Sequence, residues 1–254
     1  MRLTALAASV LLMTSVAQAQ NIHEAAKSGD LATVKKMIAE QPFMRKALDA
    51  SGRSPAIAAA KAGQIPMVEY LLSTGIGVDD ATPEGRTMLH EACDSGKFDM
   101  VKLLVTKHRA SVTLEDKKKW SAIHFACRQN PPEMLKFIVD QRANVNATSD
   151  LGATPLIMAV AKKMQPQVEF LIQRKADVNK PDAWNRTALH IAAKNNDKVL
   201  LDLLIKSGAK CGLKDKDGKS ALDEAIAAKA EFVPVLEKMC AAPTTGGKNK
   251  KKKP

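Results

Sequence analysis

The sequence predicts an all-α solenoid, in which a pair of short helices is repeated along the chain. The 254 residues include only six Phe, two Trp and one Tyr, so small aliphatic side chains have to fill the core, which suits thin stacked layers. A hydroxyl residue also recurs every 33 or 34 residues, and a fixed period of this kind is the signature of repeat architectures. The recurring hydroxyl residues are Ser54, Thr87, Ser121, Thr154, Thr187 and Ser220.

Each repeat contains two short apolar segments. Residues 85–93 read Gly-Arg-Thr-Met-Leu-His-Glu-Ala-Cys, and residues 185–193 read Asn-Arg-Thr-Ala-Leu-His-Ile-Ala-Ala. A second apolar cluster follows, and repeats close on segments such as residues 142–146, Arg-Ala-Asn-Val-Asn. Because segments this short are not stable as isolated helices, we expect each repeat to stack on its neighbours, with the hydroxyl residue capping its first helix.

These motifs resemble the ankyrin repeat, whose pattern reads Gly-x-Thr-Pro-Leu-His-x-Ala-Ala, then an aliphatic helix, then Gly-Ala-Asp-Val-Asn. The resemblance implies an ankyrin-repeat solenoid with a helix-turn-helix and a hairpin loop in each repeat. The chain departs from the pattern where Lys119 and Asn185 replace the glycine of the hairpin turn. The implied domain spans residues 20–240, with an N-terminal capping unit at 20–48, repeats at 49–81, 82–115, 116–148, 149–181 and 182–214, and a C-terminal cap at 215–240.

The resemblance also gives four of the five histidines a structural role. In the family this histidine bonds to the backbone across the turn between repeats. A metal site is the alternative, but no acidic or Cys partner stands at ligand spacing. We therefore expect no metal and no cofactor. The histidines in this slot are His23, His90, His124 and His190.

The two ends of the chain do not fit the repeat. Arg2 precedes the apolar residues 3–13, and Ala17-Gln18-Ala19 then forms a small-x-small site, so we expect a secretory signal peptide at residues 1–19 with cleavage after Ala19. A buried N-terminal helix or an uncleaved anchor is the alternative, which so short an apolar run does not favour. The signal predicts a secreted or periplasmic protein. Residues 241–254 are predicted to form a disordered Lys-rich tail.

The four cysteines predict at most one disulfide. Cys93 and Cys127 occupy the same small-residue slot of neighbouring helices. Packed helices lie about 8–10 Å apart, beyond the limit of about 7 Å between bridged Cα atoms, so these two thiols are expected to be buried packing residues. If any bridge forms, it is expected between Cys211 and Cys240, and the sequence leaves open whether that pair forms.

The net charge of +12 can be assigned to particular surfaces. The resemblance implies that partners are bound by the hairpin tips and the outer side of the first helix, at positions −4, −3, −1, +7 and +8 from the hydroxyl residue. Of these thirty positions, eleven are basic and four are acidic. The tail adds a lysine cluster, Lys248–Lys253, for which weak contact with anionic surfaces is expected. The positive charge therefore lies mainly on the implied binding face and the tail.

Both tryptophans fall on this same face. A Trp flanked by basic residues is typical of a binding hot spot. The alternatives are a Trp lying back against the adjacent hairpin and basic residues that merely form a solvated helix face. The predicted partner-binding residues are Arg86, Lys117, Lys118, Trp120, Arg128, Lys162, Trp184, Arg186 and Lys194.

The sequence favours a binding module over an enzyme. It contains no nucleophile–base arrangement, no phosphate-binding glycine loop and no paired carboxylates at a fixed spacing. We expect a monomeric, non-enzymatic protein, exported from the cytoplasm, that takes no small-molecule substrate and binds an acidic protein through a basic, Trp-bearing concave face. The alternative is docking of the basic groove and tail on polyanions or an anionic envelope surface, which would weaken steeply as salt rises.

Overall fold

The computed structural model describes residues 21–129, 131–229 and 231–241. The predicted signal peptide and residues 242–254 of the predicted tail lie outside the described residues. The prediction is wrong for Ala241, which is the last residue of a helix and not part of a disordered tail. The chain divides into two units, Met1–Ala143 and Asn144–Pro254, which we call the N-terminal unit and the C-terminal unit.

The N-terminal unit consists of paired short helices joined by hairpin loops. Residues 21–28 form the first described helix, α1. The later elements are α2 (Leu31–Glu40), a 3-10 helix (Pro42–Lys46), α3 (Pro55–Ala62), α4 (Ile65–Ser73), α5 (Met88–Asp94), α6 (Phe98–Lys102) with a π-helical turn (Leu103–Lys107), α7 (Ala122–Ala126) and α8 (Glu133–Asp140).

The C-terminal unit repeats the same pattern. Regular structure in the described residues is helical apart from isolated β-bridges, such as that between Lys214 and Ser220. This composition confirms the predicted all-α class. The helices are α9 (Pro155–Ala161), α10 (Gln165–Gln173), α11 (Ala188–Lys194), α12 (Lys198–Lys206), α13 (Ala221–Ala227) and α14 (Val233–Ala241).

The recurring hydroxyl residue caps the first helix of each repeat, as predicted. The Thr154 hydroxyl accepts from the Ile157 N–H at 3.1 Å. Where a histidine follows three residues later, its ring completes the cap, because the His90 Nδ1 accepts from the Thr87 N–H at 3.1 Å. An accepting Nδ1 places the proton on Nε2, which donates to the Leu114 carbonyl at 3.0 Å.

This histidine bond to a neighbouring loop recurs, which confirms the predicted structural role for His23, His90 and His190. The His190 Nε2 lies 3.2 Å from the Lys219 carbonyl, and the His23 Nε2 lies 3.0 Å and 2.8 Å from the Ala47 and Arg53 carbonyls. Each ring therefore ties the start of one helix to the next hairpin of the same unit.

Burial of His90 makes the stability of the N-terminal unit depend on pH. Desolvation lowers the pKa of His90 below its ordinary value of 6.5, so the unfolded chain takes up a proton that the folded chain resists. The stability that His90 contributes is therefore complete above about pH 6.5 and is lost as the pH falls toward its folded pKa. Urea unfolding at about pH 7.5 and about pH 5.5 should show the lower stability at acid pH. A His90→Gln variant should lose part of this difference, and an unchanged pH dependence would contradict the assignment.

The one irregular spacing in the repeat is absorbed inside a helix. Thr87 and Ser121 are 34 residues apart, whereas the other intervals are 33. In this repeat the Ala110 N–H bonds to the Leu104 carbonyl six residues earlier, while the equivalent Ala209 N–H bonds to Leu204, five residues earlier. The extra residue forms the π-helical turn at Leu103–Lys107, as single insertions in helices do. The following hairpin therefore keeps the standard geometry.

The N-terminal unit keeps two free thiols in its core. Cys93 and Cys127 are both buried and unbridged, which confirms their predicted packing role. Burial raises the pKa of the Cys127 thiol to about 12. It also raises the pKa of the Cys93 thiol well above its ordinary value of 9.0. Both thiols are therefore unreactive in the folded protein.

The C-terminal unit contains the disulfide that the sequence left open. Cys211 and Cys240 are bridged, with their Cα atoms 5.6 Å apart. The bridge joins the loop after α12 to α14, the last helix of the described residues. It anchors a helix whose buried side chains include Leu236, with Phe232 buried just before its start.

Candidate partner-binding surface

A rigid hairpin presents the lysines of the N-terminal unit. The Asp116 carboxylate accepts from the N–H groups of Lys118 and Trp120, at 2.8 Å and 2.9 Å. The Lys117 N–H donates to the Glu84 carbonyl of the preceding hairpin at 2.8 Å. The lysine side chains are exposed, so they project from a backbone that is fixed on both sides.

The turn of this hairpin is formed without glycine. Lys119 has a φ of 55°, in the left-handed region, and Asn185 has a φ of 59° at the same position of a hairpin in the C-terminal unit. Glycine occupies this position elsewhere, for example at Gly85, where a Cβ atom would lie 3.1 Å from the Asp116 Cα. Lys119 therefore keeps the hairpin shape and adds a third consecutive exposed lysine to its tip.

Aromatic and guanidinium groups pack together beside this hairpin. Trp120 is half-buried, and its ring lies 5.1 Å from that of the buried Phe125. The Arg128 guanidinium lies 5.4 Å from the Trp120 ring centre, and that of Arg86 lies 4.6 Å from the Phe125 ring centre. Trp120 thus lies back on its own repeat but keeps part of its ring open to a partner.

Arg86 is held by two carboxylates, so its charge is already matched. Its Nε lies 2.7 Å from Glu91 Oε1, and its Nη2 lies 2.8 Å from Asp94 Oδ2. Glu91 is buried and also receives the Lys61 ammonium at 3.0 Å. The count of basic positions therefore overestimates the unpaired positive charge here, because Arg86 and Lys61 both form ion pairs with the buried Glu91.

These groups enclose one cleft. It has a volume of about 370 Å³ and lies wholly within the N-terminal unit. Within the described part of the chain, the side chains of Lys117, Lys118 and Arg128 make no ion pair. The cleft is lined by Glu84, Arg86, Asp94, Asp116, Lys117, Lys118, Trp120, Phe125 and Arg128.

In the C-terminal unit one of the predicted cations, Arg186, lies beside Trp184. This tryptophan lies at a hairpin tip and is 44% exposed, and the Arg186 guanidinium lies 4.7 Å from its ring centre. Arg186 also donates from Nε and Nη2 to Asp182 Oδ2, at 2.9 Å and 2.7 Å. Lys162 caps the end of α9 and Lys194 ends α11, both exposed. The unpaired cations of this unit's predicted set are therefore the two lysines.

Sequence reasoning missed an apolar residue on this surface. Leu151 is 50% exposed and occupies the same tip position as Trp184, three residues before the hydroxyl residue. The two tips are joined by a bond from the Ala183 N–H to the Leu151 carbonyl at 2.9 Å. The sequence could have revealed Leu151, because the repeats other than those of Leu151 and Trp184 have a polar residue at this position, Ser, Glu, Lys or Asp.

A second missed signal lies five residues before each hydroxyl residue. There the side-chain oxygen accepts from the N–H of the residue just before the hydroxyl residue, as Asp182 does from Arg186 at 2.9 Å. This bond fixes the hairpin, and at Asp182 it also places a carboxylate beside the predicted binding cation Arg186. The residues at this position are Asp49, Thr82, Asp116, Ser149, Asp182 and Asp215.

The described residues show neither a metal centre nor a membrane span. Among them, no group of three or more His, Cys, Asp or Glu side chains is placed to bind a metal ion. None of their helices is long and apolar enough to cross a bilayer.

Comparison with known proteins identifies the family. The family model described as "Ankyrin repeats (3 copies)" matches residues 22–116, 108–182 and 165–242. Because these matches cover most of the chain, the protein belongs to the ankyrin-repeat family. The comparison confirms the predicted ankyrin-repeat solenoid fold.

Individual relatives share this domain within larger proteins. Mouse inversin is 25% identical over 187 residues, covering 60% of this chain and 18% of its own length. Zebrafish (Danio rerio) inversin is 29% identical over 168 residues, covering 53% of this chain and 16% of its own length. The chain therefore spans less than a fifth of the length of these relatives.

Solved structures agree with the fold. The human ASB11 ankyrin repeat domain has a TM-score of 0.72 and 28% identity, and the match covers 87% of this chain and 98% of that domain. The Bcl-3 ankyrin repeat domain has a TM-score of 0.70 and 22% identity, and the match covers 85% of this chain and 97% of that domain. Ankyrin-repeat domains are generally protein–protein interaction modules and are typically non-enzymatic.

Proposed function

We propose that this protein is a monomeric binding module that recognises an acidic partner protein through its hairpin tips and first helices. The observation that carries the proposal is the group of unpaired cations around a partly open aromatic ring, in which Lys117, Lys118 and Arg128 surround Trp120. Basic groups beside an aromatic anchor favour a partner that offers carboxylates together with apolar side chains. Trp184, with Lys162 and Lys194, extends the same chemistry to the C-terminal unit.

We also propose that the protein works outside the cytoplasm, secreted or in a periplasm. The N-terminal Arg2, the apolar residues 3–13 and the Ala17-Gln18-Ala19 site support export. The Cys211–Cys240 disulfide supports it independently, because such bonds persist mainly in oxidising compartments.

Docking on a polyanion or an anionic envelope surface is the second candidate. The Lys248–Lys253 cluster favours it, since closely spaced lysines neutralise phosphates or sulfates. The composition of the cleft disfavours it there, because Glu84 and Asp94 interrupt the basic surface. We therefore assign the polyanion contact to the tail and protein recognition to the hairpins.

Affinity capture with the mature chain tests the proposal. The bait is residues 20–254, compared with a Trp120→Ala/Trp184→Ala variant and with a control, Phe43→Ala, which removes an aromatic ring that is 66% exposed outside the predicted face. We expect one or a few acidic proteins to be retained by the first bait and the control, and to be lost from the double variant. Equal retention on all three baits would contradict the assignment of the binding surface.

A further inference from the structure

We infer that the cleft of the N-terminal unit binds a single carboxylate attached to an apolar group, supplied by a peptide segment in which Asp or Glu adjoins an aromatic or aliphatic residue. The inference rests on the proposed function and specifies the ligand chemistry of one of its sites. Three properties of the cleft support it: its charge balance, its aromatic floor and the placement of Arg128.

The charge balance of the cleft fits one negative charge. Its lining holds four basic side chains and three acidic ones. Arg86 is matched by Glu91 and Asp94, and Asp116 is used by backbone N–H groups of its own hairpin. Asp116 keeps its negative charge, so three exposed or partly exposed cations face the two remaining acids, Glu84 and Asp116. The lining therefore keeps a net charge of +1, which attracts a monoanion. A phosphate with two negative charges would exceed this net charge and would leave repulsion from Glu84 and Asp94 uncompensated.

The floor of the cleft fits an apolar group. Phe125 is 2% exposed and supports Trp120, whose ring is only half-buried. An apolar side chain placed on the open part of the Trp120 ring would be removed from water without displacing a protein group. The volume of about 370 Å³ lies at the lower end of the range for ligand pockets, which suits a short stretch of side chains better than a folded surface.

Arg128 links the two parts of this ligand. Its guanidinium lies over the Trp120 ring, 5.4 Å from the ring centre. This contact positions a planar group whose N–H donors match a carboxylate in two parallel bonds. Lys117 and Lys118 approach from the hairpin side of the same cleft. A carboxylate bound to Arg128 would therefore place the neighbouring side chain of the peptide against the tryptophan.

Tryptophan fluorescence gives a direct test. The chain has two Trp, so a Trp184→Phe background leaves Trp120 as the reporter. The probes are synthetic octapeptides of Gly and Ser that carry a central Asp-Phe, Asp-Ser, Asn-Phe or phosphoserine-Phe pair. We expect the Asp-Phe peptide to bind at least about tenfold more tightly than the other three, which is about 1.4 kcal/mol. Arg128→Gln should remove this preference, whereas Lys136→Gln, at an exposed position of α8, should keep it.

Several outcomes would overturn the inference. These are equal affinity for Asp-Phe and Asp-Ser, equal affinity for Asp-Phe and Asn-Phe, tighter binding of the phosphoserine peptide, and no binding of any peptide. None of these results alters the capture experiment, which tests the proposed function with whole proteins. A captured partner that depends on Trp120, combined with peptides that do not discriminate, would therefore refute the cleft chemistry alone.

Discussion

Replacing Phe125 by alanine is expected to destabilise the N-terminal unit by about 3–5 kcal/mol, the usual cost of deleting a buried aromatic side chain. Phe125 contacts the rings of Trp120 and His90, whose centres lie 5.1 Å and 5.6 Å away, and it also lies under the Arg86 guanidinium. The substitution therefore removes an aromatic layer between two repeats as well as the floor of the cleft. Urea unfolding followed by circular dichroism would measure the loss.

The control for this variant is Phe43→Ala. Phe43 is 66% exposed, so its removal should change stability by less than about 0.5 kcal/mol. A loss below about 1 kcal/mol for Phe125→Ala would contradict the role of this ring as a packed layer. Partner binding should fall in the Phe125 variant even at temperatures where it stays folded, because Trp120 loses its support.

Removing the Cys211–Cys240 bridge is expected to destabilise the C-terminal unit. The two residues are 29 apart in sequence, and closing a loop of this length stabilises the folded state by about 3–4 kcal/mol through the entropy of the unfolded chain. The Cys211→Ser/Cys240→Ser variant should therefore unfold at a lower urea concentration. Hydrogen exchange should show the largest loss of protection in α13 and α14, because the bridge holds α14 in place.

Reduction provides a second test of the same bridge. Adding a reductant to the wild-type chain should lower the unfolding midpoint, and it should leave the double serine variant unchanged, since Cys93 and Cys127 are already free. Alkylation of the unfolded chain with and without prior reduction would count the bridged thiols, because the two products should differ by two alkyl groups. No shift of the midpoint on reduction would contradict the stabilising role.

The helical elements could be predicted from the sequence because the signals for them are local. Each first helix begins directly after its hydroxyl residue, as α5 does after Thr87 and α9 after Thr154. In each repeat the capping residue, the apolar pattern and the spacing predict the same helix. Signals between residues close in sequence therefore specify the fold. The histidine bonds followed from the family resemblance and were confirmed for His23, His90 and His190.

The pairing of charges could not be predicted in the same way. Arg86 meets Glu91 and Asp94 only because the hairpin returns over the first helix, and Lys61 reaches Glu91 from another helix of the same unit. Such contacts depend on side-chain directions that the sequence does not specify. The sequence named Cys211 and Cys240 as the expected pair, which is confirmed. Whether they form a bridge depends on where a loop and a distant helix meet, and this the sequence left open. The Asp, Ser and Thr residues that fix the hairpins could have been predicted, since they recur at one position of the repeat.

Recognition of a partner protein through Trp120 is tested most directly by the affinity for the captured partner. It should be measured at about 50 mM and about 200 mM salt, with wild-type and Trp120→Ala chains. Recognition of a protein through Trp120 and its neighbouring cations predicts a loss of less than about tenfold between these salt concentrations. It also predicts a loss of about tenfold or more on removing Trp120 at either concentration. A loss of about a thousandfold with salt, and none on substituting Trp120, would contradict the account and indicate docking on a polyanion.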